Sequence, residues 1–290
     1  MRLLLIIATF LYISCKQEKH ANIAKNIVSA KIEKETKKQS IINTLGKTIK
    51  TRFNTPNNFI RTEAANNSFA NYLRELPLKN HGTEVKFYNG QIKPNYNVYT
   101  AVVDLPIGKK DLHQCADAVM RLRAEYLWKQ KRYNDIHFNF TNGFRVDYHK
   151  YKEGNRVVVK GNKTYWIKKT SPSNTYKNFW NYMELIFTYA GTLSLSKELT
   201  SIKLEKIKIG DVLIQGGSPG HAVIVVDMCI NPSTKEKAFL LAQSYMPAQE
   251  TQILKNRAHS NNPWYSLNDI KNRIETPEWT FTVDDLKRFE

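Results

Sequence analysis

The sequence predicts an α+β fold in which helices pack on an antiparallel β-sheet. Helical periodicity dominates the middle of the chain. Short, apolar runs rich in β-branched residues come after it in the sequence, and turn residues separate them. Residues from about 55 to 290 are long enough for one large domain. Phe, Trp and Tyr make up 11% of the chain, which supplies enough apolar surface for a sizeable core.

The extreme N-terminus predicts a signal peptide over residues 1–14. The short basic start Met1-Arg2 precedes an apolar run of residues 3–13, which is too short to span a bilayer as a helix. The following Ser14-Cys15 resembles the lipobox of bacterial lipoproteins, although Leu11 lies one position early. That resemblance implies cleavage before Cys15, lipid on its sulfur and a lipid-anchored place in the cell envelope, at the outer membrane. An ordinary secretory signal with an incidental cysteine is the alternative.

Residues 15–54 predict a basic, flexible tether. The segment has many Lys and Arg and few large apolar side chains, so it lacks the material for a core. Attraction to anionic lipid or wall polymer and simple solvation both explain its charge. The whole chain carries a net charge of +18, but no RNP motif, paired zinc-ligand spacing or P-loop accompanies it. We therefore expect a membrane partner through the lipid, no nucleic acid, and no metal or other cofactor.

The folded part alternates helices and strands. A helix over 69–76 is stopped by Pro77, and a strand follows over 99–104. Asp111 is expected to cap a long helix to 129, and Ser173 a second helix that runs to 189 and ends at Gly191. Strands are expected over 136–140, 144–148, 156–159, 164–167, 212–214, 222–228 and 238–244.

Cys115 is a candidate nucleophile. It lies in the first turn of the predicted 111–129 helix, where free amides and the helix dipole stabilise a thiolate and lower the thiol pKa. Gln114, or the amides of that turn, could donate to an oxyanion. The alternative is a buried cysteine that acts as a small hydrophobe. Besides Cys15, the mature chain has only Cys115 and Cys229, which is too few for a disulfide framework. A single disulfide between these two residues is left as an alternative.

His221 is a candidate general base. It follows a turn of Gly216, Gly217, Pro219 and Gly220, and it precedes a buried-looking strand. Glycines permit backbone angles that other residues avoid, and a ring at a strand mouth keeps its orientation. The alternative is a histidine that merely bonds a neighbouring loop.

Gln243 is a candidate orienting residue. If residues 231–233 form the hairpin tip, His221 faces Gln243 directly and Val223 faces Leu241. The amide would then hold one ring nitrogen and leave the other for Cys115, the role of the third member of a catalytic triad. Mutual satisfaction of two polar side chains at a sheet end is the alternative.

This order of residues is similar to that of the NlpC/P60 and CHAP cysteine peptidases, which cut peptide or amide bonds in bacterial cell walls. The similarity rests on the helix-start Cys115, Gly210-Asp211-Val212-Leu213-Ile214, and Gly220-His221-Ala222-Val223-Ile224-Val225. It implies a papain-like core with insertions, with Cys115, His221 and Gln243 in the catalytic positions. Gln114-Cys115-Ala116-Asp117 stands where those families have Asp-Cys-Ser-Gly, and about 60 residues intervene before the sheet.

A second resemblance covers most of the chain. The sequence looks like a lipoprotein family of Bacteroidota known as domain of unknown function 4846, which carries no established activity. The segments that carry this resemblance are 76–79, 114–126, 189–192, 219–227, 241–250, 263–265 and 276–279. Trp264 and Trp279, in the last two segments, either close the core or line a groove, and core closure is the prediction.

Two functions follow from these observations. The first is a cell-envelope cysteine hydrolase, an amidase or peptidase, with Cys115 as nucleophile, His221 as base and Gln243 as orienter. The second is a non-catalytic envelope lipoprotein that keeps a peptidase-like frame for binding or scaffolding. The chain order of the three residues favours the first, and the missing Asp-Cys-Ser-Gly favours the second. Faster labelling of Cys115 than of Cys229 by a thiol probe would favour the first function.

Overall fold

A nine-stranded antiparallel sheet forms the centre of the protein and confirms the predicted α+β class. The computed structural model describes residues 40–161, 163–259 and 261–290. Helices in these residues are α1 (Ile49–Arg52), α2 (Phe69–Arg74), α3 (Cys115–Lys129), α4 (Tyr148–Lys152), α5 (Tyr176–Tyr189) and α6 (Thr192–Glu198). None of them is long and apolar enough to cross a bilayer.

The strands of the sheet are β1 (Ile60–Arg61), β2 (Tyr99–Val102), β7 (Thr200–Ser201), β8 (Val212–Gln215), β9 (His221–Ile230), β10 (Lys237–Gln243), β11 (Gln252–Leu254), β12 (Tyr265–Ser266) and β15 (Leu286–Arg288). They follow the order β2-β11-β10-β9-β8-β15-β7, with β1 paired to β9 and β12 to β10. Three hairpins lie outside it: β3 (His137–Asn139) with β4 (Arg145–Asp147), β5 (Asn155–Lys160) with β6 (Lys163–Lys168), and β13 (Arg273–Glu275) with β14 (Thr280–Thr282).

The central strand β9 is covered on both faces. Ala222, Ile224 and Val226 pack in the larger apolar cluster, which contains α3 and α5. Val223 and Val225 pack in a second cluster with residues of the β13–β14 hairpin. Burial on both sides explains why β9 reads as a continuous apolar run rather than as an alternating one.

The register of the β9–β10 hairpin differs from the predicted one by two to three residues. Leu241 pairs with Val225 instead of Val223, because the turn spans residues 231–236 and is centred further along the chain than the predicted tip at 231–233. The pairs beside this turn are shifted by three residues, and a bulge that adds one residue to β9 reduces the shift to two at the start of β9. The added residue is Val226, and it shares its face with Asp227. Between the bulge and the start of β9, a shift of two residues leaves each side chain on its predicted face, since side chains alternate with a period of two.

Two predicted helix caps are wrong. Helix α3 starts at Cys115, with Gln114 as its N-cap, because the Asp111 carboxylate instead accepts from the backbone N–H of Ala248 at 2.6 Å. Helix α5 is capped by Thr175, whose hydroxyl accepts from Asn178 N–H, rather than by Ser173.

Another helix follows where the sequence suggested only a stop. Gly191 is the N-cap of α6, so the second predicted helix leads directly into a third element of the helical layer. Leu195 of α6 is fully buried in the larger apolar cluster. Gly191 therefore separates two helices.

The compact unit spans Ile41–Glu290 and begins earlier than the predicted boundary at residue 55. Ile49 and Phe53 are fully buried in the larger apolar cluster. Buried Arg52 donates to the carbonyls of Gly46 and Lys79, which ties the segment to the strand-forming part of the chain. Residues 41–54 therefore belong to the domain, not to a tether. The predicted signal peptide, Cys15 and the rest of the tether up to residue 39 lie outside the described residues.

Candidate functional site

A cavity of about 470 Å³ lies at the start of β9. The first turn of α3, the 216–220 turn, the start of α6 and residues 245–246 meet there, together with the end of α5, Thr141 and Trp279. The polar and aromatic side chains in its wall belong to Gln114, Cys115, Asp117, Thr141, Phe187, Thr192, Ser218, His221, Tyr245 and Trp279. Cys115 and His221 thus line one cavity.

The glycine turn is shaped by its contact with α6 as much as by backbone freedom. Gly217 has φ +154°, a conformation that L side chains rarely adopt. A Cβ on Gly216 would lie 2.2 Å from the Ser196 hydroxyl oxygen, and a Cβ on Gly220 would lie 2.4 Å from that of Thr192. Glycine at these positions lets the turn lie directly on α6.

Cys115 is the first residue of α3 and is 8% exposed. Burial raises the pKa of its thiol to about 11. The backbone N–H of Ala222 bonds the sulfur and lowers the pKa, as do the amides of Ala116 and Cys115 itself, but they do not offset burial. The predicted lowering of the thiol pKa is therefore wrong, because desolvation exceeds the effect of the helix start. The resting thiol is neutral at pH 7.

His221 is the first residue of β9 and is 1% exposed. Its ring packs against Tyr245, Trp279 and Phe281, with centroids 4.8, 5.4 and 5.9 Å away. Burial in this aromatic setting lowers the pKa of His221 to about 4, with a further lowering from Lys93 that opposes the effect of its hydrogen bond to Gln243. The ring is therefore a neutral imidazole at pH 7.

Gln243 bonds His221 as the sequence suggested. The distance between Gln243 Oε1 and His221 Nε2 is 2.9 Å. The contact forms across the diagonal of the hairpin rather than between directly opposite residues, because the register is shifted. The other end of the amide, Nε2, donates to Glu278 Oε2 at 2.6 Å, and Lys93 Nζ donates to the same oxygen at 2.7 Å.

Cys115 and His221 approach the cavity from different faces of the sheet. Alternation along β9 places His221 with Val223 on the second apolar face, whereas Ala222 faces α3 and its N–H bonds the Cys115 sulfur. Among the hydrogen bonds of the described residues, none joins Cys115 to His221. The structure thus brings the two groups to one cavity wall without pairing them.

Gln114 lines the cavity beside Cys115. Its side-chain Nε2 donates to Asp111 Oδ1 at 3.2 Å, so the second N–H of that group remains for a ligand. Its backbone N–H donates to Asp117 Oδ2 at 2.9 Å, which is one half of a capping box.

Asp117 is a wall residue that the sequence analysis did not identify. Burial raises the pKa of its carboxyl group to about 8, against the lowering effect of the backbone N–H groups of Gln114 and Asp117. The spacing from Gln114 to Asp117 was the available signal, because a carboxylate three residues after an N-cap often completes a cap. The expectation of a cap at Asp111 concealed that signal.

The aromatic wall was only partly predicted. Trp264 closes the core as expected and is 1% exposed, with its Nε1–H donating to Asn54 O. Trp279 instead lines the cavity, and its Nε1–H is held by Gln215 Oε1 at 2.9 Å. Tyr245 lies two residues after Gln243, on the strand-end extension of the same face, which is the pattern that could have revealed it.

Both described cysteines, Cys115 and Cys229, are free thiols. Burial raises the pKa of Cys229, which is fully buried in the apolar core. Across residues 40–161, 163–259 and 261–290, no group of three or more His, Cys, Asp or Glu side chains is arranged to hold a metal ion.

Comparison with known proteins places the chain in a family without assigning an activity. A search of the curated proteins and a search of the solved structures each found no match. A family model described as domain of unknown function 4846 matches residues 49–288, which is nearly the whole compact unit. By this match the protein belongs to the family of domain of unknown function 4846.

Proposed function

We propose that the protein is a cysteine hydrolase of the cell envelope that acts on amide bonds of cell-wall peptides. One observation carries this proposal. Cys115, at the start of α3, and His221 line the same cavity, and Gln243 hydrogen-bonds Nε2 of the His221 ring. Gln243 and Glu278 extend a line of hydrogen bonds from His221 at the wall of this cavity, which is the arrangement by which a polar group orients a general base.

In the proposed reaction, the Cys115 sulfur attacks the carbonyl carbon of the scissile amide. The thiol proton passes to His221 Nδ1 as the S–C bond forms, and the ring then gives it to the leaving amine as the C–N bond breaks. Water hydrolyses the resulting thioester and restores the thiol. The developing oxyanion would be stabilised by Gln114 or by the amides of the first turn of α3. Substrate would draw the neutral pair together, since catalytic hydrogen bonds often tighten only in the complex.

A papain-like core of the NlpC/P60 type is part of this proposal. The features that support it are a cysteine at the first residue of a helix, an antiparallel sheet behind that helix, and a histidine at the start of a central strand. The departure is the position of His221 on the sheet face away from α3. In our proposal the cavity at the strand end is where the two groups meet.

The experiment is turnover of cell-wall peptide fragments by the purified full chain, read as newly released amino groups. We expect Cys115→Ala to abolish turnover while changing stability by roughly 1–2 kcal/mol or less. Cys229→Ala is the matched control, because it removes the other described thiol from the core rather than from the cavity. Turnover that persists in Cys115→Ala would refute the mechanism.

A non-catalytic binding role is the second candidate, and a specific observation favours it. Burial raises the pKa of Cys115 to about 11, so its thiol is unactivated in the resting protein. If the cavity binds cell-wall peptides without cutting them, calorimetry should detect equal affinity in the wild type and in Cys115→Ala, and neither protein should release amines.

We also propose that the protein is a lipoprotein anchored in the outer membrane through Cys15. The support is the short apolar run that ends at Ser14-Cys15. In cells, Cys15→Ala should leave the protein unprocessed and should remove the lipid mass from its N-terminal peptide. Normal processing and membrane partitioning of that variant would refute the anchor.

A further inference from the structure

The orientation of the Gln243 amide is determined by a carboxylate on the β13–β14 hairpin. Gln243 is 1% exposed and lies between His221 Nε2, at 2.9 Å, and Glu278 Oε2, at 2.6 Å. A carboxylate accepts hydrogen bonds and has none to donate, so the NH₂ end of the amide must face Glu278. The oxygen end is then left for the ring, and it can bond only a nitrogen that carries a proton.

Lys93 supports this arrangement from the other side. Its ammonium donates to the same Glu278 oxygen at 2.7 Å, and its side chain is 7% exposed. This contact fixes the position of the Glu278 carboxylate beside the glutamine. The order of the groups is therefore ammonium, carboxylate, amide and imidazole, with each donor facing an acceptor.

The aromatic neighbours of His221 restrict the ring without choosing its tautomer. Tyr245 and Trp279 pack at angles of 60° and 43° to the ring plane, and Phe281 stacks at 24°. Among the described residues, Gln243 is the one whose side chain hydrogen-bonds a ring nitrogen of His221. The choice between the two neutral forms therefore depends on the orientation of that amide.

We propose that Glu278 is a positioning residue that acts through Gln243 to hold His221 in the tautomer with its proton on Nε2 and a free lone pair on Nδ1. Lys93 assists by holding Glu278 in place. The inference concerns the site of the proposed hydrolase, but it depends only on the hydrogen bonds and not on turnover.

The first test is ¹⁵N NMR of the full chain labelled at histidine, with the His221 signals assigned by their loss in a His221 variant. Measurement above pH 6 keeps the ring neutral, since its pKa is about 4. We expect the wild type to show a protonated Nε2 and an unprotonated Nδ1. A wild-type ring with its proton on Nδ1 would overturn the proposal without any variant.

The second test replaces the carboxylate. In Glu278→Leu the amide loses its acceptor, and Lys93 is left to attract the Gln243 oxygen away from the ring. A hydrogen bond to a charged group corresponds to roughly a ten- to hundredfold preference, so we expect the tautomer ratio to fall by about that factor. An unchanged ratio in a folded Glu278→Leu protein would overturn the proposal.

Two further variants separate positioning from packing. Glu278→Gln keeps an oxygen that Lys93 can hold at the same corner, so it should retain the wild-type tautomer. Glu275→Leu removes an exposed carboxylate from the same hairpin and should leave the ring signals unchanged. A shift in Glu275→Leu as large as in Glu278→Leu would contradict the inference. Hydrolysis is measured separately, so a protein without turnover but with the expected tautomer response would refute only the proposed function.

Discussion

The Cys115 thiol has been placed where two physical effects oppose each other. The start of α3 and the Ala222 N–H favour the thiolate, whereas burial at the cavity wall favours the thiol. Burial has the larger effect on the pKa, because the free-energy cost of desolvating the thiolate exceeds the stabilisation that hydrogen bonds from a few backbone amides provide. Reactivity at this residue therefore depends on proton removal during attack and not on a thiolate that is present beforehand.

This balance predicts the pH profile of alkylation at Cys115. With a pKa of about 11, the labelling rate should rise about tenfold per pH unit from pH 6 to pH 9 without a plateau. The rate is measured by peptide-resolved mass spectrometry, with the urea-unfolded chain as the reference that levels off near the pKa of an ordinary thiol. Cys229 should react more slowly still, because it is fully buried. A plateau below pH 8 would contradict the assignment.

His113 should make the protein sensitive to acid. Burial lowers its pKa from 6.5 to about 3, with Arg121 adding to the effect. The unfolded chain therefore binds a proton below pH 6.5 that the folded protein refuses, so the free energy of unfolding falls with decreasing pH, by up to about 1.4 kcal/mol per unit.

The test compares urea unfolding at pH 7 and pH 4.5. The His113→Gln variant should lose less stability over this interval than the wild type does. His259→Gln serves as control, because His259 is about half exposed and bonds Asp269 at the surface. Equal pH dependence in the wild type and His113→Gln would rule out His113 as a source of the sensitivity.

At the scale of elements, the glycine turn and α6 fit against each other at the cavity mouth. A Cβ at Gly220 would meet the backbone oxygens of Gly217 and Gln215 at 2.7 and 2.8 Å, as well as Thr192. We expect Gly220→Ala to cost about 1–3 kcal/mol in the free energy of unfolding, since backbone must move to make room. Chemical denaturation measures this cost.

Gly191→Ala provides the comparison for that prediction. Gly191 lies at the start of the same helix, has φ −177°, and a Cβ there would meet nothing within 4 Å. The alanine should therefore be tolerated far better at this position than at Gly220. If the two variants lost similar amounts of unfolding free energy, the close approach of the turn to α6 would not be a source of stability.

The elements themselves could largely be predicted, because periodicity and β-branched runs report local structure. The start of α3 was misplaced since Asp111 bonds Ala248, a residue far along the chain that no local pattern reveals. The predicted hairpin register was wrong because the turn lies further along the chain than 231–233, and neither its position nor the bulge at Val226 has a signature in composition. The contact between His221 and Gln243 could still be predicted, since an error of two residues preserves the face of a strand.

The surroundings of the site could not be predicted in the same way. Glu278 and Lys93 come from distant parts of the sequence, and only the tertiary fold brings them to Gln243. The face of β9 that holds His221 was also beyond the sequence, because a strand buried on both sides gives no alternation to show which face meets the helices. Assigning it required knowledge of what packs on each side.

At the scale of the whole molecule, a buried ion cluster joins the N-terminal part of the domain to the centre of the sheet. Asp227 is fully buried and accepts from Arg61 at 2.8 Å and from Arg74 at 2.6 Å. Its Oδ1 also accepts the backbone N–H of Met228. The bulge places Asp227 on the face where β1 and α2 can reach it.

Loss of this carboxylate should therefore be costly. We expect Asp227→Asn to reduce the free energy of unfolding by about 3–5 kcal/mol, because the buried Arg74 guanidinium and the partly buried Arg61 guanidinium lose their counter-charge. Asp135→Asn removes a surface carboxylate that pairs with Arg132 and should cost about 1 kcal/mol or less. Urea unfolding of both variants measures the difference, and comparable losses would contradict a structural role for the cluster.

The position of β15 has a consequence for the time at which the fold can form. Leu286–Arg288 lies between β8 and β7 in the sheet, so its pairing partners precede it by more than seventy residues. Until that strand is synthesised, β8 has a bare edge next to the glycine turn, and contacts between distant parts of a chain form slowly. The site at the start of β9 therefore forms beside an edge that is completed only when a strand more than seventy residues further along the chain joins the sheet.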